Sequence, residues 1–444
     1  MSGANWSKGA QKLYRQRWRI WIIACLAHAI VMFHRAAIAP MADQLMADFG
    51  LNAVAFGGLA AVYFYIYAAM QLPSGILADT MGPRKTITAG LLLSGAGSVL
   101  MSLAPSFGIL YVGRIIVSFG VSIVWLSAIK LVMEWFRRQE LATITGFTVS
   151  LANLGLIAAS TPLALLIISV GWRMSLMIAS LATFALAAAN WFIIRNSPIQ
   201  IGLSPIEPEE QAVPQGAASL DSLGLSLAQK LKSVLRNKSL WPLFLLGLGT
   251  YGAYATLFHN WAVVYLMQTY GIQRGFATNF ILVATIGVMV GGPLVGYLSD
   301  RFFQQRRRPA VAFTGITLAS FLLVTFWNGG RPPLGALYPL CFFAGLGVSS
   351  CLLTFAYIKD TVQPSLRGTA SGLVNTGAFV GAALAQPLFG YILDLGWRGE
   401  MMEGVRVYPV EAFQHGLLLC SVLAALGFVG ALLMKREVKE GSTS

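Results

Sequence analysis

Charged residues are scarce in this sequence. Only 11% of its 444 residues are Asp, Glu, Lys or Arg, and 56% are hydrophobic, whereas soluble domains carry roughly 25% charged residues. This composition excludes an ordinary soluble protein and predicts a multi-pass membrane protein, because each span needs about 20 mostly apolar residues. Cysteines are also few, and they lie in apolar runs without metal or redox spacing: Cys25, Cys341, Cys351 and Cys420. We therefore expect no metal and no cofactor.

Acidic residues are the second shortage, with 17 against 31 basic residues and a net charge of +14. Such a charge could suit nucleic acid, but its distribution argues against that partner. With the N-terminus cytoplasmic, alternate connections hold 23 of the 31 Lys and Arg residues and the opposite connections hold five. This is the positive-inside bias of membrane proteins. It predicts two cytoplasmic termini, a lipid bilayer around the chain and no nucleic-acid partner.

Twelve apolar runs lie between the charged segments, which predicts an all-α membrane protein. The predicted spans are 18–40, 54–77, 86–104, 108–133, 142–170, 174–194, 240–267, 276–298, 310–327, 335–357, 368–394 and 413–434. The first run has no small-residue cleavage site, which favours a retained span over a signal peptide. Residues 195–239 predict a cytoplasmic linker. At its end, Ser222 to Lys238 favour an amphipathic helix on the inner leaflet over an ordinary solvated helix.

The two halves of the chain contain related sequence motifs. The charged stretch Gly75–Lys85 has the pattern Gly-x-x-x-Asp-x-x-Gly-x-Arg-Lys, and a weaker copy, Gly296–Arg308, follows 221 residues later with Phe303 in place of the second glycine. Further landmarks recur at offsets of 225 or 226: Gly146 and Gly372, Gly155 and Gly381, Pro162 and Pro387, and Gly-Trp-Arg at 171–173 and 396–398. We expect two pseudo-symmetric six-helix bundles, residues 1–194 and 240–444, joined by the linker 195–239. Duplicated halves predict a substrate site between them, near the bilayer midplane.

These motifs resemble those of the major facilitator superfamily over nearly the whole chain. The hairpin Gly75–Lys85 resembles the family's motif between the second and third spans, and Arg114-x-x-x-Ser118-x-Gly120 resembles its fourth-span motif, with serine replacing one glycine. The resemblance implies a transporter that works by rocking of two halves, and no nucleophile–base or phosphate-loop pattern suggests an enzyme. It assigns gating to Gly75, Asp79, Gly82, Arg84, Lys85, Arg114, Gly296 and Asp300, with Asp79 and Arg84 as an inner-face latch. A plain polar hairpin is the alternative for either copy alone, and Arg84 and Lys85 can either pair with Asp79 or face anionic lipid.

Three basic residues and no acidic residue lie well inside the predicted spans, where a charge costs roughly 2.5–3.5 kcal/mol or more. Arg35 is the strongest candidate to bind an anion, through its forked guanidinium. Its alternative is an interfacial arginine that pairs with Asp43. Arg114 serves either a gate or a structural hydrogen bond to backbone carbonyls, and for Lys130 snorkelling to the membrane surface is favoured. This charge pattern predicts an anionic substrate and disfavours cationic drugs.

Proton coupling has no embedded carboxylate to use, so His28 and His259 are the candidate proton carriers. The alternative for each is a neutral histidine hydrogen-bonded between helices, and sodium or a second anion could drive transport instead. Helical spacing places His28 on the face of Arg35, whereas His34 lies on another face. Further candidates for a cavity lining, each with helix packing as the alternative, are Tyr63, Tyr67, Gln71, Tyr254, Asn260, Trp261 and Asn375. The seven-residue spacing predicts one helix face for Tyr254 and Trp261.

The first two spans resemble the organic-anion branch of the family, which includes anion:cation symporters of sugar acids and carboxylates. The resemblance rests on Phe33-His34-Arg35, Pro40 and Asp43, followed by Tyr67, Gln71, Pro73, Gly75 and Asp79. Organophosphate antiporters share the arginine at Arg35, but this chain has Ala255 and Gln71 where they carry an arginine and a lysine. We expect a monomeric importer of a small carboxylate or sugar acid, coupled to H+ or Na+, in a bacterial inner membrane. Efflux of an amphipathic anion or siderophore-like compound, and a transporter-like ligand sensor, are the alternatives.

Overall fold

The computed structural model describes residues 8–50, 59, 62–63, 65–159, 161–203, 227–402 and 405–435. The helices of the first half are α1 (Lys8–Ala36), α2 (Ala42–Phe49), α3 (Gln71–Thr80), α4 (Pro83–Ser102), α5 (Phe107–Ser122), α6 (Val124–Trp135), α7 (Arg138–Ala158) and α8 (Thr161–Ile193). Short 3-10 turns lie at Ala39–Met41 and Pro198–Ile201. Part of the predicted span 54–77 and residues 204–226 of the predicted linker lie outside the described residues.

The second half is also helical. Its α-helices are α9 (Leu227–Arg236), α10 (Trp241–Thr256), α11 (Ala262–Tyr270), α12 (Arg274–Tyr297), α13 (Arg307–Phe326), α14 (Leu334–Val348), α15 (Leu353–Thr361), α16 (Arg367–Leu395) and α17 (Val410–Leu433). Two π-helical turns occur at Leu257–Trp261 and Leu298–Phe302, and 3-10 turns at Trp327–Gly329, Ser349–Leu352 and Pro364–Leu366. A two-residue antiparallel pair, β1 (Met401–Met402) and β2 (Val405–Arg406), lies between α16 and α17.

Within the described part of the chain, nine helical segments are long and apolar enough to cross a membrane. They cover nine of the predicted spans, and the exceptions have local explanations. The span predicted at 240–267 is divided by the π-helical turn Leu257–Trp261, and α4 is rich in Gly, Ser and Thr. The connection predicted at Gly171 appears as a break inside α8, where Gly171 has φ +78°. Glycine suits this position because a side chain is strained at positive φ.

The chain groups into two compact units. The first comprises Met1–Leu141, Phe147–Lys232 and Thr361–Gly372, and the second comprises Ala142–Gly146, Ser233–Asp360 and Leu373–Ser444. Helices approach closely at small residues inside each unit. A Cβ added to Gly155 would overlap the carbonyl oxygen of Ala29 in α1, and a Cβ added to Gly381 would overlap that of Leu248 in α10. Both glycines therefore allow a later helix to pack against the first long helix of its own unit.

The core of the second unit is aromatic, with Phe280, Phe321, Phe389 and Phe413 at most 1% exposed. An apolar pocket lies in this core beside the π-helical turn Leu257–Trp261, and the residues around it come from that turn, α11, α12, α13 and α14. In the first unit, Trp135 and Phe136 are similarly buried. Polar groups buried in these cores lose their hydrogen bonds to water. Buried charges in either unit therefore need partners within the protein.

Candidate functional site

Two arginines meet at the C-terminal end of α1. Arg114, on α5, is 2% exposed, and it donates from Nη1 to the carbonyl oxygen of His34 (2.8 Å) and from Nη2 to that of Arg35 (3.4 Å). The last carbonyls of a helix lack partners within it and carry partial negative charge. Arg114 therefore caps α1 and fixes the backbone that carries Arg35. This is the structural hydrogen bond that the sequence left as one alternative for Arg114.

Aromatic residues of the second predicted span lie beside this capped helix end. The guanidinium of Arg114 lies 5.1 Å from the ring centre of Tyr63, and Tyr63 stacks on Tyr67 with ring centres 5.6 Å apart. Gln71, at the start of α3, is completely buried. The structure thus brings Tyr63 and Tyr67 to Arg114, next to Arg35, which is half-buried. The side chain of Asp43, the alternative partner of Arg35, lies outside the described residues.

The two histidines of α1 have different surroundings. His34 is 2% exposed, and its Nε2 lies 3.2 Å from Thr183 Oγ1 and its Nδ1 3.4 Å from Ser98 Oγ. His28 is 3% exposed and packs against Trp125 of α6, with ring centres 4.2 Å apart and the ring planes tilted by 30°. Its Nδ1 makes no hydrogen bond to any described residue. For His28 the structure therefore leaves the alternative of a hydrogen-bonded histidine without a described partner at Nδ1, whereas His34 has side-chain partners on two other helices.

The candidates in the second half surround the π-helical turn Leu257–Trp261. Tyr254 is buried, whereas His259 and Asn260 are exposed. Trp261 stacks on Phe389 and donates from Nε1 to the carbonyl oxygen of Gln386 (3.1 Å). The prediction that Tyr254 and Trp261 share one face assumed a regular α-helix, and the wider π turn between them changes their angular relation.

Asn375 is the remaining candidate of the second half. It lies on α16 and is half-buried. This helix also carries Gln386 and Phe389, the contacts of Trp261. The second unit therefore places Asn375 and the partners of Trp261 on one long helix, eleven or more residues apart.

The side chain of the hairpin aspartate Asp79 is fully buried, and its two oxygens accept from four donor groups. Its Oδ1 accepts from Lys130 Nζ (2.7 Å) and from the backbone N–H of Gly368 (2.9 Å). Its Oδ2 accepts from the N–H (2.7 Å) and the hydroxyl (2.8 Å) of Thr369. Gly368 and Thr369 lie in the first turn of α16, where free N–H groups and the helix dipole favour a negative charge. A Cβ at Gly75 would overlap the carbonyl oxygen of Gly368, so this glycine permits the contact.

Two predictions about this hairpin are wrong. Lys130 does not snorkel: it is 9% exposed, because Asp79 offers its ammonium a buried partner. Arg84 does not pair with Asp79, since its Nε donates to the carbonyl oxygen of Trp191 (2.8 Å). The ion pair of the predicted latch is therefore Asp79 with Lys130, and the role of Arg84 needs another explanation. Lys85 is exposed.

The second hairpin holds Asp300 in a related arrangement. Asp300 Oδ2 accepts from the N–H and the hydroxyl of Thr143 on α7, both at 2.8 Å, and Asp300 Oδ1 pairs with Arg306 Nη1. Arg306 also donates from Nε to Asp360 (2.9 Å). Burial alone lowers the pKa of Arg306, but the Asp360 and Asp300 carboxylates outweigh it and hold the pKa above its ordinary value. A Cβ at Gly296 would overlap the carbonyl oxygen of Ala142, as at Gly75.

The counterpart of Gly82 in the second hairpin is Gln304 and not Phe303. Gly82 has φ +79° and Gln304 has φ +50°. The π-helical turn Leu298–Phe302 accommodates one extra residue, so the offset grows from 221 at the aspartates to 222 at this turn and at Arg84 and Arg306. Sequence reasoning also missed Thr143 and Thr369. Their offset of 226 was the available signal, since it equals that of the repeated glycines.

A model of the Major Facilitator Superfamily matches residues 24–386. The chain belongs to the Major Facilitator Superfamily. It is therefore a multi-pass membrane transporter and not an enzyme, and it has the twelve-helix fold of the superfamily, as the sequence predicted. Among the described residues, no cluster of three His, Cys, Asp or Glu side chains could hold a metal ion.

Curated relatives in the Major Facilitator Superfamily match most of the chain. A membrane sensor protein, UhpC, of Salmonella typhimurium is 23% identical and aligns over 94% of this chain and 93% of its own. A probable sulfoacetate transporter, SauU, of Cupriavidus necator is 25% identical over 84% of this chain and 86% of its own. A probable hexose phosphate transport protein of Chlamydia trachomatis is 25% identical over 93% and 90%. The solved structure of the proton:xylose symporter XylE superimposes with a TM-score of 0.73 at 14% identity, over 95% of this chain and 97% of that one, and supports the fold.

Proposed function

We propose that this protein imports a small organic anion, a carboxylate or sugar acid, by alternating access coupled to H+ or Na+. The observation that carries the proposal is the arginine pair at the end of α1. Arg114 donates to backbone carbonyls and to no carboxylate of the described residues, so its positive charge adds to that of Arg35. Two cations with aromatic neighbours suit an anionic ligand, because guanidinium groups bind carboxylates through paired hydrogen bonds.

The relatives support an anion but leave its class open. One is named for sulfoacetate and another for hexose phosphate. In this chain Ala255 and Gln71 stand at the positions where organophosphate antiporters carry further cations, and both are buried. We therefore favour a carboxylate or sulfonate ligand over a phosphate. His28 is the proposed proton carrier, because its ring is buried against Trp125 and its Nδ1 has no hydrogen-bond partner among the described residues.

We further propose a bacterial inner-membrane location with both termini in the cytoplasm, from the distribution of Lys and Arg. The residues proposed to contact the substrate are Arg35, His28, Tyr63, Tyr67, Gln71, Tyr254, His259, Asn260, Trp261 and Asn375. The residues proposed for gating are Gly75, Asp79, Gly82, Arg114, Gly296 and Asp300. Arg84 and Lys85 are no longer assigned to the gate.

Uptake into proteoliposomes tests the proposal. Labelled sulfoacetate, a hexonate and a hexose phosphate are offered under imposed H+ or Na+ gradients to wild type, Arg35→Gln and the control Arg398→Gln. Arg398 is exposed and pairs with Glu411 at 3.6 Å. We expect Arg35→Gln to lower uptake or apparent affinity by about tenfold or more, the effect of one lost charge-assisted hydrogen bond. Unchanged uptake and affinity in Arg35→Gln, with wild type active, would remove Arg35 from the site.

Ligand sensing is the second candidate, and the similarity to a membrane sensor protein favours it. A sensor binds its ligand without carrying it across the membrane. Thermal unfolding of the purified protein measures binding, because a ligand stabilises the folded state by mass action. An anion that raises the unfolding temperature but is not taken up by proteoliposomes would favour the sensor over the importer.

A further inference from the structure

Arg84 has a guanidinium that the hairpin does not use. Its Nε donates to the carbonyl oxygen of Trp191, and the guanidinium carbon lies 4.4 Å from the centre of the Trp191 ring. The two terminal amino groups make no hydrogen bond to the described residues, and no described carboxylate lies within ion-pair distance. A guanidinium in this position keeps its full charge and its paired donors for a ligand.

The surroundings of Arg84 are basic and aromatic. Trp191 is 41% exposed, Phe192 73% and Met81 44%, and Lys85 is exposed beside Arg84. Arg195 donates from Nη1 to the carbonyl oxygens of Phe192 and Ile194. We call Met81, Arg84, Lys85, Trp191, Phe192 and Arg195 the Arg84–Trp191 patch. Three cations and no acidic residue make it strongly positive.

The position of the patch points to the membrane surface. Trp191 and Phe192 end the membrane-spanning segment Leu165–Ile193, on the side that the Lys and Arg distribution predicts to be cytoplasmic. Tryptophan is enriched at this level because its ring lies among headgroups, and bacterial inner leaflets attract basic residues through anionic lipids. The patch therefore combines an interfacial ring with a phosphate-binding side chain.

Arg84 is also held in place. Its backbone N–H donates to Asn196 Oδ1 (2.8 Å), and its carbonyl oxygen accepts from Asn190 Nδ2 (3.0 Å). Asn190 is fully buried and donates as well to Thr88. The end of α8 thus clamps the first turn of α4, and a ligand gains more from donors that are already ordered than from flexible ones.

Comparison with a second arginine of the same unit, Arg173, shows why the surroundings of Arg84 are unusual. The guanidinium carbon of Arg173 lies 4.3 Å from the ring centre of Trp172, almost the geometry of Arg84. Arg173, however, lies 3.9 Å from Asp48 and donates to the carbonyl oxygens of Ser102 (3.3 Å) and Ala104 (2.8 Å). Its charge and donors have partners within the protein, whereas the terminal amino groups of Arg84 have none among the described residues.

We propose that the Arg84–Trp191 patch binds the phosphate of an anionic phospholipid in the inner leaflet. The terminal amino groups of Arg84 would hold two phosphate oxygens, Lys85 would add charge, and Trp191 and Phe192 would contact the glycerol and first acyl carbons. The site is independent of the proposed substrate, and its ligand is part of the membrane.

Competitive lipid binding tests the proposal. Purified protein is equilibrated with equal amounts of phosphatidylglycerol and phosphatidylcholine, and the bound lipids are counted by native mass spectrometry. We expect wild type to retain phosphatidylglycerol selectively and Arg84→Gln to bind it about tenfold more weakly, as for one lost charge-assisted contact. Arg84→Lys keeps the charge but loses the fork, so its binding should lie between the two. Arg173→Gln, the matched control, should bind like wild type.

Three results would overturn the proposal: unchanged selectivity in Arg84→Gln, an equal loss in Arg173→Gln, or displacement of the lipid by millimolar inorganic phosphate, which would indicate a site for the free ion. A second measurement covers a failure of Arg84→Gln to fold. Brominated phosphatidylglycerol should quench wild-type tryptophan fluorescence more than that of Trp191→Phe. Equal quenching of the two proteins would place the lipid elsewhere.

Discussion

Asp79 and Asp300 occupy equivalent positions in the two hairpins, and each accepts hydrogen bonds from the N–H and the hydroxyl of a threonine, Thr369 or Thr143. Their cations come from different places. Asp79 depends on Lys130, 51 residues away on another helix, whereas Asp300 pairs with Arg306, six residues away in its own hairpin. Arg306 also binds Asp360. The Asp79–Lys130 ion pair thus forms only when separate helices pack together, whereas the Asp300–Arg306 ion pair forms within one hairpin.

The same contrast appears in the backbone. The first hairpin turns at Gly82, with φ +79° and ψ +156°, a region that is essentially reserved for glycine. The second hairpin inserts a π-helical turn and then turns at Gln304, with φ +50°, where a side chain is tolerated at some cost. The two copies of the motif therefore share the contact between aspartate and threonine, but they differ in the cation that pairs with the aspartate and in the turn.

Neutralising Asp79 should have the largest effect. Asp79→Asn leaves the Lys130 ammonium buried without its carboxylate, which costs about 3–5 kcal/mol for a buried pair. Thermal unfolding of the purified protein should show a large fall in midpoint. The double variant Asp79→Asn/Lys130→Met should recover part of that loss. A double variant as unstable as the sum of its single changes would show that the two side chains are not coupled.

Asp300→Asn should be milder, because Arg306 keeps Asp360 as a carboxylate partner. The expected loss is about 1–3 kcal/mol, that of weakened hydrogen bonds to a charged group. The same unfolding measurement decides it. Equal destabilisation by Asp300→Asn and Asp79→Asn would contradict this difference between the hairpins. It would show that Asp360 does not compensate Arg306 for the loss of the Asp300 carboxylate.

The turns should give the smallest and most local effects. Gly82→Ala forces a Cβ into a glycine conformation and toward Asn196, and should cost about 1–3 kcal/mol. Gln304→Gly should change stability by no more than about 1 kcal/mol, since relief at positive φ opposes the greater freedom of the unfolded glycine. Equal losses of stability in Gly82→Ala and Gln304→Gly would mean that the π-helical turn does not relieve backbone strain in the second hairpin.

Much of the fold followed from patterns that are local in sequence. Hydropathy predicted a membrane protein and located the spans that remain continuous, and the hairpins and the break at Gly171 were visible in short motifs. The candidate site was harder. Arg35 and Arg114 were singled out because charges inside spans are costly. The contact between the Arg114 guanidinium and the Arg35 carbonyl oxygen, however, joins two helices at residues that are 79 positions apart in the sequence. Whether His28 Nδ1 has a hydrogen-bond partner also depends on the helices that pack around it, so the sequence could not predict it.

By itself, then, the sequence determined that this chain spans a membrane, consists of two related halves and carries basic residues inside its predicted spans. These properties follow from composition and spacing, because the free energy of transferring a segment into lipid depends on the residues of that segment. Only the tertiary structure decided which charges meet. Asp79 is joined to Lys130 and not to Arg84, since a buried carboxylate takes the cation that packing brings within 2.7 Å. Arg84 lies over the ring of Trp191, because the end of α8 lies against the start of α4. Such choices between equally charged side chains depend on helix packing, which the sequence pattern does not display.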